Sequence, residues 1–141
     1  MTIILNGKDL ALKAEEDFKK RVTTIKEMSG ITPVLATILV GDDPASETYV
    51  KMKGNACERI GMKSLKIELP QNTSTDELLK TVNDLNNNDE VSGILLQHPT
   101  PSGINERACF DSIKIEKDVD GVTSLGSVSY THLTLPTMRF V

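Results

Sequence analysis

The sequence has little cysteine, no membrane-length apolar run and no stripe of positive charge, and each shortage removes a class of function. Its two cysteines, Cys57 and Cys109, lie far apart, with no His or further Cys at metal-ligand spacing. That excludes a disulfide framework and a zinc site and leaves free thiols in a reducing cytosol as the expectation. The opening MTIILNGKDL lacks the basic start and long apolar core of a signal peptide, and no apolar stretch is long enough to span a bilayer, so a cytoplasmic protein is expected. Sixteen Lys and Arg stand against twenty Asp and Glu, a net charge of −4, which disfavours nucleic acid and anionic membrane as partners. Neither G-x-x-x-x-G-K-[ST] nor G-x-G-x-x-G occurs, so the chain carries no recognisable phosphate loop or dinucleotide fingerprint.

What is present is the composition of an ordinary soluble domain: 141 residues, 38% apolar and 26% charged. That length suits one domain, which buries roughly two-thirds of the surface its unfolded chain exposes without disulfide or metal. A short extended piece, Thr2–Leu5, precedes a helical pattern from about Lys8 to Met28, with Leu10, Leu12, Ala14, Phe18, Val22 and Ile25 as its apolar stripe and Gly30 as its stop. Thr32–Val40 is nearly continuous and β-branched, as a strand covered on both faces reads. After the loop GDDPAS, Ser46 is placed to cap a helix running to Ile60, with Gly61 as its stop. Lys63–Leu69 alternates as a strand, and Ser74 and Glu77 have capping-box spacing before a third helix that Asn86–Asp89 breaks. Val91–Gln97 reads as a buried strand and Ile104–Ser112 as a short helix. The order β-α-β-α-β-α-β-α predicts a three-layer α/β domain, a mainly parallel sheet flanked by helices.

In such sheets ligands bind beyond the carboxyl ends of the strands. Three polar clusters fall there: Gly41–Ser46, Gln97–Pro101 and Lys117–Gly121. Between the first two runs a helix whose Ser46, Tyr49 and Lys53, spaced by three and four, share one face directed toward those strand tips. Partial desolvation lowers the pKa of an ammonium, and a tyrosine hydroxyl or glutamine amide can orient it, so a lysine placed this way could shuttle protons. A Tyr and Lys at i, i+4 are equally the pattern of a surface packing contact with a solvated amine. Asp118-Val119-Asp120-Gly121 reads as a turn; a calcium loop lacks its further acidic ligands. His98 has no second ligand nearby, and no metal site is expected.

Taken together, TPVLATILVGDDPASETYVKMKGNACERIGM, GILLQHPTP and EKDVDGVTSLG resemble the N-terminal half of the methylenetetrahydrofolate dehydrogenase/methenyltetrahydrofolate cyclohydrolase family, from about Thr2 to Gly126. The resemblance implies that Lys53 is the catalytic lysine, the proton shuttle when water attacks the methenyl carbon of the folate. It implies that Tyr49 stacks on the folate, that Gln97 hydrogen-bonds the lysine, and that Asp120 binds the amino and ring N–H groups of the pterin. Ser46, Pro99 and Pro101 would shape the pocket. Asp118 receives no role. Where many members read QLPLP this chain reads QHPTP, so His98 and Thr100 alter that wall. The resemblance further implies tetrahydrofolate derivatives as ligands, NADP as cofactor in the parent protein, and a homodimer. A Rossmann domain follows in complete members and is absent here, so no cofactor-binding residue is expected in this chain. Two other readings remain: a short-chain dehydrogenase, which shares Tyr-x-x-x-Lys but should have a glycine-rich turn near its N-terminus, and a ligand-binding module without catalysis.

From Val128 onward the chain reads VSYTHLTLPTMRFV, with Arg139 its only charge, leaving −5 over residues 1–127. VSYTHLTLPT is the translation of GTC TCT TAT ACA CAT CTG ACG CTG CCG ACG, which resembles a transposase adapter of sequencing libraries. The expectation is a catalytic domain over residues 1–127 and a non-native tail over 128–141; a native C-terminal strand is the alternative.

Overall fold

A computed structural model describes residues 6–126 of the chain. The β-branched run VLATILV forms β1 (Val34–Val40), flanked on both sides by parallel neighbours, β2 (Lys63–Leu69) and β3 (Gly93–Leu96), in the order β2-β1-β3. Its last five residues are buried, as expected of a central strand. The pleat divides its side chains. Ala36, Ile38 and Val40, with Ile94 and Leu96 of β3, form the core with Leu78, Val82 and Leu85 of α3 (Thr75–Asn86) and Cys109 of α4 (Glu106–Asp111). Leu35 and Leu95 face the opposite side, toward α1 (Gly7–Ser29) and α2 (Pro44–Ile60). The result is the expected three-layer α/β arrangement.

Local chemistry explains most helix ends. Gly30 and Gly61 both adopt the left-handed conformation and terminate α1 and α2. Ser74 and Glu77 form the full capping box of α3. Asn6 caps α1 by accepting the N–H groups of Lys8 and Asp9.

Two expectations need correction. Asp43, not Ser46, caps α2: its carboxylate accepts the Ser46 N–H at 2.8 Å, and Pro44 occupies the first helical position, where its fixed φ and missing N–H do no harm. The stripe of α1 is amphipathic in sequence but mostly uncovered, with Leu10 70% and Phe18 48% exposed, because α1 packs chiefly on α2 and buries only Val22. The segment from Asp118 runs parallel to β3, toward the carboxyl end of that strand. It passes along the outer edge of β3 through a parallel bridge between Ile94 and Asp118. Gly93 permits that passage, since a Cβ there would collide with the Val119 side chain. The expected strand Thr2–Leu5 and the tail 128–141 lie outside the described residues.

Candidate active site

Lys53 lies on the third turn of α2, half-buried, and its Nζ donates to Gln97 Oε1 at 2.9 Å across 44 residues of sequence. Gln97 follows β3 directly, is only 9% exposed, and its backbone N–H donates to the Ile38 carbonyl, so the sheet itself fixes its position. Its side-chain Nε2 donates to the His98 carbonyl at 2.8 Å. A carbonyl accepts and cannot donate, so this second bond decides the orientation of the amide and points Oε1 at the lysine. Tyr49, one turn before Lys53 on α2, is 57% exposed. Ser46, another turn back, is buried beneath the start of α2.

The loops beyond β1 and β3 meet as expected. A Cβ on Gly41, which has φ +87°, would strike the Gln71 side chain after β2 and would come within 3.4 Å of Pro101. Pro101 is half-buried; Pro99, joined to His98 by a cis peptide bond, is exposed. Glu106 on α4 draws this loop together. Its carboxylate accepts the Thr100 N–H at 2.9 Å and lies 2.8 Å from His98 Nδ1. Burial pushes the Glu106 carboxyl up, but the hydrogen bonds from Thr100 and His98 outweigh it and leave the group below its usual range. His98 and Thr100, the two departures from the common loop pattern, are thus anchored by one acid. The sequence held no local signal for this, since Glu106 acts across six to eight residues and a turn.

Asp120 is exposed, and no hydrogen bond engages its carboxylate among the described residues. Asp118 differs. Its Oδ1 accepts the N–H groups of Asp120 (3.3 Å), Gly121 (2.9 Å) and Val122 (3.2 Å), and its Oδ2 accepts that of Thr123 (3.0 Å). Burial raises the Asp118 carboxyl, and these backbone bonds more than reverse it, holding it below the usual carboxylate value. Spacing alone did not separate the two acids; the D-x-x-G signature of a carboxylate folded onto its own turn was the available clue.

An open groove of about 490 Å³ lies between α1, α2 and the sheet, lined by Phe18, Leu35, Ala56, Cys57 and Leu95, with Lys53 on its rim. It is almost wholly apolar, and none of Tyr49, Gln97 and Asp120 lines it. Cys57 and Cys109 are free and buried, and burial pushes both thiols up, which makes them poor nucleophiles. Among the described residues no cluster of three His, Cys, Asp or Glu could hold a metal, and no helix is long and apolar enough to cross a membrane. Nor do they fit a dinucleotide: the helices that follow strands open on acidic residues, Asp43 and Glu47 on α2 and Asp76 and Glu77 on α3, where a pyrophosphate needs unopposed N–H groups.

Comparison with known proteins gives this geometry a context. The family description "Tetrahydrofolate dehydrogenase/cyclohydrolase, catalytic domain" matches residues 5–120. The bifunctional protein FolD of Teredinibacter turnerae is 64% identical over 124 residues, covering 88% of this chain and 44% of that protein. The crystal structure of the Campylobacter jejuni bifunctional methylenetetrahydrofolate dehydrogenase/cyclohydrolase superposes with a TM-score of 0.85 at 46% identity, over 90% of this chain and 44% of that one. A Trypanosoma brucei dehydrogenase-cyclohydrolase, solved with NADP cofactor and an inhibitor, has a TM-score of 0.81 at 30% identity, over 85% of this chain and 41% of that one. The chain therefore spans less than half the length of the relatives it matches.

Proposed function

The chain belongs to the tetrahydrofolate dehydrogenase/cyclohydrolase family, and from that premise we propose that it supplies the folate site and the proton-transferring lysine of a bifunctional enzyme. That enzyme would oxidise 5,10-methylenetetrahydrofolate to 5,10-methenyltetrahydrofolate with NADP and hydrolyse the product to 10-formyltetrahydrofolate. The observation that carries the reading is the 2.9 Å bond from Lys53 Nζ to the oriented Gln97 Oε1.

In hydrolysis, water adds to the methenyl carbon, and Lys53 accepts a proton from it as the C–O bond forms. As the bond from that carbon to N5 breaks, Lys53 returns a proton to N5 and the new hydroxyl loses its own to solvent, leaving the formyl group on N10 with one net proton released. Gln97 keeps the amine on the side of the reacting carbon, so the proton moves over a short fixed path. The exposed Tyr49 ring offers a face for the folate to stack on, and the free Asp120 carboxylate suits the paired donors of a pterin edge. Ser46 under α2 and Pro99 and Pro101 in the loop shape the wall. NADP would accept the hydride in the other reaction; since the described residues do not fit it, no part of that transfer is assigned to them. In the same reading the full-length protein is a cytoplasmic homodimer.

The test is to join residues 1–127 to the remaining part of the Teredinibacter turnerae relative and measure cyclohydrolase turnover. We expect turnover without residues 128–141, in line with the division of the chain into a catalytic domain and a tail. Lys53→Ala should lower kcat by at least about 100-fold while folate binding stays within a few-fold. Unchanged turnover in that variant would remove Lys53 from the mechanism. The 141-residue chain alone is expected to show no NADP-dependent hydride transfer.

A further inference from the structure

We infer that Asp118 is the positioning residue for Asp120: it makes no contact with substrate itself but fixes the backbone from which Asp120 reaches the pterin. The inference rests on the folate reading of Asp120. Three backbone N–H groups crowd Oδ1 of Asp118, and Oδ2 accepts a fourth and is covered by Gly126, so the carboxylate is turned into its own loop and not toward a ligand. Asp120, two residues on, has the reverse character: its side chain is exposed and unengaged among the described residues, while its own N–H is one of the four donors.

The loop is held from outside as well. The bridge from Asp118 to Ile94 fixes its start against β3, and Gly93 lets Val119 close onto the strand. On its far side Arg107 Nη2 donates to the Val122 carbonyl at 2.5 Å, and Asp111 accepts the Ser124 N–H at 2.7 Å. The chain then closes over the Asp118 carboxylate: a Cβ on Gly126 would lie 2.8 Å from Oδ2. Both ends are therefore tied, and between them Asp118 alone holds the N–H groups of residues 120–123, with Arg107 on the Val122 carbonyl. Without that carboxylate, binding would have to order the turn, and the cost would fall on affinity and not on the chemical step.

The experiment is equilibrium binding of 5,10-methenyltetrahydrofolate to the 141-residue chain, with amide hydrogen exchange recorded on the same variants. Asp120→Ala should weaken binding by about tenfold or more, and Asp118→Ala by about the same factor. The double variant should be no weaker than Asp120→Ala alone, since Asp118 acts only through Asp120. Asp118→Asn, which keeps Oδ1 for three of the four donors, should recover most of the affinity. Faster exchange in Asp118→Ala should be confined to residues 120–123. Wild-type affinity in Asp118→Ala alongside a loss in Asp120→Ala would overturn this inference alone, as would additive losses in the double variant. Should Asp118→Ala lose protection throughout, Asp118→Asn decides: affinity no better than that of Asp120→Ala in a folded Asn variant overturns it. If the wild-type chain does not bind, or Asp120→Ala binds as wild type does, the folate reading of Asp120 falls and the inference with it.

Discussion

Thr37 sits in the middle of β1, 2% exposed, and its hydroxyl is the one buried side-chain polar atom without a hydrogen-bond partner among the described residues. A buried hydroxyl left unpaired costs about 1–3 kcal/mol relative to one that is satisfied. Thr37→Val keeps the β-branched shape and removes the orphan, so we expect it to raise stability by about 1 kcal/mol, read as a higher urea midpoint at unchanged slope. The residues of the site divide by the same accounting of donors and acceptors. Lys53 and Tyr49 were legible because helical spacing alone puts them on one face. The orientation of Gln97 was not, because it depends on the backbone carbonyl of His98, an acceptor that side-chain spacing does not display. Asp118 shows in the sequence only through its D-x-x-G spacing, because the bonds it makes run to the backbone.

Among the elements, those specified by adjacent residues were the ones the sequence disclosed. The continuous β-branched run gave β1, the S-x-x-E spacing gave the cap of α3, and Gly30 and Gly61 marked the stops of α1 and α2. The start of α2 was misplaced by three residues because Asp43-Pro44 is a stronger beginning than a serine inside the first turn. Two loops each depend on one acid: Glu106 gathers residues 98–100 from α4, and Asp118 gathers residues 120–123 of its own turn. Both carboxyls are held below their usual range in the folded chain. Their contribution to stability is therefore complete above the ordinary carboxylate value, near pH 4, and is lost as pH falls from there through each folded value. The expected outcome is that the variant combining Glu106→Gln and Asp118→Asn starts out less stable at pH 7 but loses less on acidification below about pH 4.5 than the wild type does. Urea midpoints measured across that range check it, and an equally steep acid loss in the variant would exclude these two groups as its source.

For the whole molecule, the order of elements was enough to predict three layers, because short connections between alternating helices and strands leave few arrangements for a parallel sheet. What periodicity could not show is what the apolar side of α1 faces. A stripe of Leu, Phe and Ile reads the same whether it meets a core or a groove, and here Val22 alone is buried, with one exposed pair, Glu15 and Arg59, linking α1 to α2. A helix held this lightly is expected to open separately from the rest. Native-state hydrogen exchange should resolve two populations of amides: those of β1, β3 and α3, which exchange only on global unfolding, and those of α1, which exchange through a detachment costing far less. Val22→Ala should speed the second set by about tenfold or more and leave the first nearly unchanged. Loss of protection at the same rate in both sets would mean that α1 belongs to the same cooperative unit as the sheet. Should exchange resolve two such units, no single melting temperature describes this chain, and a far-ultraviolet signal to which the 23-residue α1 contributes more than any other helix would begin to fall before the sheet is lost.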